Sequence, residues 1–494
     1  MGTGFDSGLY MQKQKAEILR RIEKSNGKLY LEFGGKLFDD THAARVLPGF
    51  MADAKVRLLC ELRDDAEIIL CIRAQDIESN KIRADIGITY DLDLLRLIDN
   101  LRAMDLLVSS VVITQYERQP AAMAFRNKLR ERGERVYTHR YTKGYPTNVQ
   151  MIVSKEGYGA NEYIETNRPL VVVTAPGASM GKLATCLSQI YHENLRGKNA
   201  GYAKFETFPV WNLPLKHPVN MAYEAATADL NDVNMIDPYH QAAFGETTVN
   251  YNRDIEVFPV LQAILACVAD FQYRSPTEMG VNMAGHCIVD DEICRTAAKQ
   301  EIIRRLLRAR CDRRLGRIGL EPAGKIELIM SQLGLSEADR PVVAPALEKA
   351  KEKEAPAVAI GLHTEDSDSF ATGRETSLMS APASAVMNAI KQLGGIQDNI
   401  LLISRATLEP IQRLKGENFG ERRQTLGLEE VLICLSISAA MNPTAEHALK
   451  MLPALRGCEA HATYIVSDTD EMTMRKLGVN LTCEPEFLSK DLYY

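Results

Sequence analysis

Residues 170–191, LVVVTAPGASMGKLATCLSQIY, narrow the folding options most: an unbroken apolar run, a loop of small residues, then an amphipathic helical pattern. A strand with no polar alternation, such as Leu170 to Thr174, is buried on both faces, which demands a sheet with helices packed on both sides. Similar runs recur at Lys28 to Phe33, Glu67 to Ile72, Ser110 to Gln115, Arg135 to His139 and Gly201 to Phe205. Helical patterns at Asp91 to Met104 and Pro120 to Arg132 lie between them. The alternation predicts an α/β fold built from βαβ units around a largely parallel sheet.

A single core stops growing near ~250 to 300 residues, so the 494 residues predict more than one domain. The period shifts to 3.6 over Val257 to Phe271 and Asp290 to Arg317, with no strand read between them, which predicts a helical subdomain. A charged stretch at Glu348 to Pro356 reads as a linker or an exposed helix end. Beyond it, strands at Ala357 to Leu362, Asn399 to Ser404 and Thr463 to Ser467 alternate with helices at Ala383 to Leu393 and Glu429 to Ala440. The expected divisions are an α/β domain over 1–255, a helical subdomain over 256–335 and a second α/β domain over 336–494.

With 65 acidic and 59 basic residues there is no bulk positive field to hold a polyanion, so nucleic acid is not an expected partner. Nine Lys or Arg between Arg295 and Arg317 can form a polyanion face or a solvated helix surface. No apolar run approaches the ~20 residues of a membrane span, and the first residues lack a signal-peptide core, so a cytoplasmic chain is expected. The ten cysteines include no CxxC pair. Cys458, His461 and Cys483 offer at most an incomplete metal set.

The loop carries the most legible chemistry. Gly177 and Gly181 permit torsions that turn successive N–H groups inward, the helix start adds positive dipole, and Lys182 supplies a cation for phosphate oxygens. The standard phosphate loop is GxxxxGK followed by Ser or Thr. Here the spacing is one residue short and Leu183 stands where the magnesium-binding hydroxyl belongs, leaving Ser179 or Thr185 to replace it. A strand-to-helix turn with packing glycines is the alternative.

Lys204 and Glu206 close the next strand on the edge where such a loop sits, and a lysine there suits a second anionic group. The layout is similar to P-loop carboxylate-activating enzymes of the dethiobiotin synthetase type. Downstream come Asn234, Asp237, His240, Arg253 and Asp254, polar residues that suit a cleft. Arg253 can clamp phosphate or carboxylate; Asp237, His240 and Asp254 can act as acid, base or ligand; Asp290 and Asp291 can hold magnesium. Gly34-Gly35-Lys36 with Asp39, Asp40 and His42 reads as a turn with an acidic corner, with a second anion site or a metal pair as the alternative, and Thr372 to Ser380 as an anion site or a capped helix start.

Several long motifs, among them GYPTNVQMIVSKEGYGANEYIET, VVVTAPGASMGKLATCLSQIYHE, GYAKFETFPVWNLPLKHPVNMAYEAATADLNDVNMIDPYH and VNYNRDIEVFP, resemble a bacterial family defined by domain of unknown function eighteen forty-six. The likeness extends from LEFGGKLFDDTHAARVLPGF to RGCEAHATYIVS. Family members typically read APGxxSGKMATCLSQ, so Met180 and Leu183 depart from the pattern while Gly177, Gly181 and Lys182 keep it. The resemblance implies an α/β body, a helical part and a C-terminal α/β part. A zinc-protease label sometimes attached to the family finds no HExxH here. The expectation is a protein that binds a small-molecule phosphate ligand, ATP or another nucleoside triphosphate with Mg2+, for phosphoryl transfer or carboxylate activation. A non-catalytic nucleotide or sugar-phosphate binder is the alternative. Apolar residues of Phe208 to Leu215, read as exposed, lead to the expectation of a closed homo-oligomer.

Overall fold

A computed structural model describes residues 2–488 apart from Asn26, Asp39, 84–86, 364–367 and Arg422. Two compact units are present, Met1–Ala298 and Lys299–Tyr494.

The first unit is built on seven strands: β1 (Leu29–Phe33), β2 (Ala66–Arg73), β3 (Val108–Thr114), β4 (Val136–Thr138), β5 (Leu170–Thr174), β6 (Gly201–Phe205) and β7 (Gly280–Val281). Their order in the sheet is β7-β6-β1-β5-β2-β3-β4, and every pairing is parallel. Burial on both faces is what the unbroken apolar runs require. One face carries Tyr30, Ile69, Val112, Val171, Val173 and Tyr202. It packs against helix α2 (Lys182–Leu195) through Cys186, Leu187 and Ile190, and against α3 (Asn252–Val268) through Leu261, Ile264 and Val268. The 3.6-residue pattern after Val257, read from sequence as opening a helical subdomain, thus belongs to a helix that covers this sheet.

Strand β7 corrects the expectation that no strand lies between Phe271 and Asp290. Two residues without periodicity give no sequence signal, and pairing with the β6 edge creates the strand. Phe208 and Val210 are buried, with Phe208 stacked on Tyr223 at 5.5 Å. The loop read as exposed therefore serves the unit's own core.

The second unit holds a four-stranded mixed sheet, ordered β9-β8-β10-β11: β8 (Ala357–His363), β9 (Asp368–Arg374), β10 (Glu459–Ala462) and β11 (Asn480–Cys483). The pairs β8–β9 and β8–β10 are antiparallel and β10–β11 is parallel. Helix α4 (Asp291–Arg314) carries the basic run, and α5 (Val343–Lys353) and α6 (Ala381–Leu393) follow it in sequence. Residues 399–404 form no strand. Leu402 and Ile403 are buried from a loop, so the apolar run answers to burial rather than to a ladder. The strand expected at 463–467 is also absent: Ser467 caps a helix at Asp468–Lys476, and the preceding Glu459–Ala462 forms strand β10 instead. Fully buried Arg340 ties the sheet, donating to Thr482 Oγ1 and to the carbonyls of Ala460 and Asn480.

Four arginines of α4 meet carboxylates: Arg304 and Arg305 bond Glu301, Arg308 bonds Asp312 and Glu471, and Arg310 bonds Glu327 and Glu337. Each such pair lowers the positive charge that the helix can offer a polyanion. No helix among the described residues is long and apolar enough to cross a membrane. All ten cysteines are free thiols.

Candidate functional site

Strand β5 lies between β1 and β2, and its carboxyl end delivers the loop to the centre of the sheet edge. The loop is held from two sides. Thr114 Oγ1, at the end of β3, donates to the Met180 carbonyl at 2.9 Å. A Cβ added at Gly177 would fall 2.7 Å from the Tyr90 ring, at the start of a helix over Tyr90–Ala103. Ser179 and Gly181 both adopt left-handed backbone, at φ 57° and 81°, and Gly181 opens helix α2. Alternating torsions of this kind form a concave nest of N–H groups. Among the described residues the N–H groups of Ser179, Gly181, Lys182, Leu183 and Ala184 donate to no acceptor. Lys182, half-buried, has no hydrogen-bonded or ion-pair partner among them either.

Two candidate hydroxyls separate here. Ser179 is exposed on the loop, whereas Thr185 is fully buried, with its Oγ1 3.5 Å from Cys71 Sγ. Thr174, at the end of β5, is 1% exposed and its hydroxyl has no partner among the described residues.

The register brings a second group to the same edge. Glu32 on β1 pairs laterally with Val173 on one side and with Lys204 on the other. At about 4.8 Å per strand step, the Lys204 backbone is about 10 Å from β5. Lys204 Nζ lies 2.5 Å from Asp254 Oδ2 and 2.7 Å from Glu206 Oε1, and donates to the Tyr251 hydroxyl. Tyr251 donates to Glu206 at 2.8 Å, and Tyr202 donates to Glu32 Oε2 at 2.9 Å. Asp254 reaches this cluster because it stands in the first turn of α3. Burial opposes the lysine charge, yet Asp254, Glu206 and Glu32 together outweigh it and hold Lys204 well above its ordinary range.

Glu206 is pushed up to about 7 by burial, with Asp254 adding to the rise and Lys204 opposing it. An unfolded carboxyl titrates near ~4.3. The folded chain therefore keeps this proton where the unfolded chain releases it. The stabilising contribution is full below about pH 4.3 and is lost as pH rises through about 7. Glu206→Gln is expected to remove that fall. Denaturant unfolding between about pH 5 and 8 checks it, and a slope unchanged from the parent refutes it.

The other sequence candidates are spread more widely. Arg253 donates to Asp232 Oδ2 at 2.7 Å, beside the cluster through Tyr251. Asp237 is fully buried and accepts from the N–H groups of Tyr239, His240 and Thr277 and from Thr277 Oγ1. His240 bonds Ser275 Oγ at 2.7 Å. Asp290 accepts from Ile293 N, while Asp291 pairs with His217 and Arg295. Asp40 caps a short helix and pairs with Lys55 at 2.9 Å; its neighbour Asp39 lies outside the described residues. His461 is buried between Thr482 and Glu484. Among the described residues no group of three or more His, Cys, Asp or Glu is arranged to hold a metal ion. Glu32, Tyr90, Thr114, Tyr202 and Tyr251 were not singled out from sequence. Glu32 carried one usable signal, a carboxylate inside an otherwise apolar strand run.

Fold and turn define the class: a two-unit α/β protein whose main parallel sheet carries a glycine-containing strand-to-helix turn at its centre. The chain belongs to the DUF1846 family, whose N-terminal domain of unknown function matches residues 3–334 and whose C-terminal domain matches 338–493. It is 55% identical over 504 residues to a UPF0371 protein of Clostridium botulinum (strain Alaska E43 / Type E3), with 100% of both chains covered. A UPF0371 protein from the Kyoto / Type A2 strain is also 55% identical, over 502 residues and again 100% of each chain.

Proposed function

We propose that the chain binds a small-molecule phosphate ligand, foremost a nucleoside triphosphate, on the turn from Gly177 to Ala184, for phosphoryl transfer or carboxylate activation. The observation that carries this reading is the set of N–H groups around Ser179, Gly181 and Lys182 that, like the lysine itself, have no partner among the described residues. Inward-turned N–H groups at a helix start attract anions, and positioning with charge neutralisation dominates phosphoryl chemistry. The Lys204–Glu206–Asp254 cluster, two strands away, is the natural wall for an acceptor. Glu206 is its candidate proton carrier, because its affinity for a proton lies near neutrality.

Magnesium generally keeps several waters and takes one or two carboxylates with phosphate oxygens. Such an ion would rely on Glu32, the carboxylate beside the loop, rather than on Asp290 or Asp291, which are engaged elsewhere. Leu183 and the buried Thr185 favour a second reading, a nucleotide or sugar-phosphate binder without turnover.

Calorimetric titration of the full chain with ATP, GTP and coenzymes, with and without Mg2+, is expected to yield at least one saturable heat of binding. No heat from any phosphate compound would remove both readings. Release of ADP or phosphate then separates enzyme from binder.

A further inference from the structure

The second unit contains a cavity of about 380 Å3 along β9, the edge strand of its sheet. Three cations line it: Lys349 from α5, Arg374 from the end of β9 and Lys391 from α6. No Asp or Glu is among its described lining residues. The nearest acid in sequence, Glu375, is turned away, bonded to Arg423 and to the N–H of Ala381. Arg374, half-buried, has no hydrogen-bonded or ion-pair partner among the described residues. Lys391 donates to the Asp398 carbonyl at 2.9 Å, which leaves its charge unneutralised. Among the described residues Lys349 meets Glu352, a surface pair of the kind that contributes little. The hydroxyls of Thr372 and Ser384 also line the cavity without a partner among the described residues. Met387, Leu402 and Ile403, all buried, also line the cavity and supply an apolar wall.

A concave site with converging, unneutralised donors and one apolar wall suits a ligand that is anionic at one end and apolar at the other. Arginine's planar fork matches the tetrahedral oxygens of a phosphate, which carries about −1.5 to −2 charge near neutral pH. We infer that this cavity binds a small organic phosphate, with Arg374 and Lys391 on the phosphate and the Met387–Leu402–Ile403 wall on the organic part. This inference does not depend on the turn at Gly177 to Ala184.

The test is calorimetric titration of the full-length Lys182→Ala chain, in which binding at the first unit's turn is weakened, so that a signal lost on substitution of Arg374 or Lys391 belongs to the cavity. Phenyl phosphate and inorganic phosphate serve as probes. Phenyl phosphate is expected to bind, and more tightly than inorganic phosphate, because only it reaches the apolar wall. Arg374→Gln and Lys391→Met, made separately, are each expected to weaken it by about tenfold or more. Hydrogen exchange should slow over residues 368–393 when the probe is added. Two substitutions keep the test valid if one variant folds poorly. No binding at millimolar concentration, or binding indifferent to both substitutions, overturns the inference. Inorganic phosphate binding as tightly as phenyl phosphate overturns the role of the apolar wall.

Discussion

Lys182→Ala is expected to weaken the binding of a nucleoside triphosphate by about 10- to 150-fold while leaving stability within about 0.5 kcal/mol of the parent. The affinity loss corresponds to one hydrogen bond to a charged group, about 1.5 to 3 kcal/mol. Stability should hold because the lysine has no partner among the described residues, so its removal strips no interaction from the fold. Gly181→Val should behave in the opposite way. At φ 81°, with a new Cβ 3.0 Å from the Thr114 side chain, a β-branched residue strains both backbone and neighbour. Calorimetry and thermal unfolding on the two variants check the pair of outcomes. A Lys182→Ala chain that binds every phosphate compound as the parent does reduces the loop to a packing turn.

The largest stability effect is expected from Lys204→Met. It leaves the buried carboxylate of Glu206 and the half-buried carboxylate of Asp254 facing each other without their cation. Removing one partner of a buried ionic group costs about 3 to 5 kcal/mol, whereas neutralising the whole group is often nearly neutral. The triple change Lys204→Met, Glu206→Gln, Asp254→Asn should therefore recover most of the loss. Hydrogen exchange of the β6 amides at pH 8 reads the first unit directly. A single-variant loss under about 1 kcal/mol would mean that the cluster does not act as one electrostatic unit.

The parallel sheet and the central turn were readable because each strand of any length is a mainly apolar run and the turn's glycines interrupt that pattern. The ion cluster was not, since Lys204 and Asp254 meet only through the approach of α3 to β6, which no local spacing encodes. Asp237 looked like cleft chemistry but is a helix cap, and the following Pro238 was the signal for it: proline at the first helical position marks the residue before it as a cap. The short strand β7 and the loop at 399–404 show the converse limit, where pairing with a neighbouring edge, or its absence, decides the conformation rather than composition.

Strand β5 pairs Leu170 with both Leu29 and Ala66. At about 5 to 20 residues per second, a ribosome delivers Leu170 roughly 5 to 20 s after Ala66. Throughout that interval β1 and β2 each lack the neighbour that lies between them, and unpaired edges of this kind recruit other chains. The strand that presents the candidate site is thus also the one whose arrival joins the two halves of the sheet. Substitutions within Leu170–Thr174 will lower the yield of folded protein before any change in ligand binding can be measured.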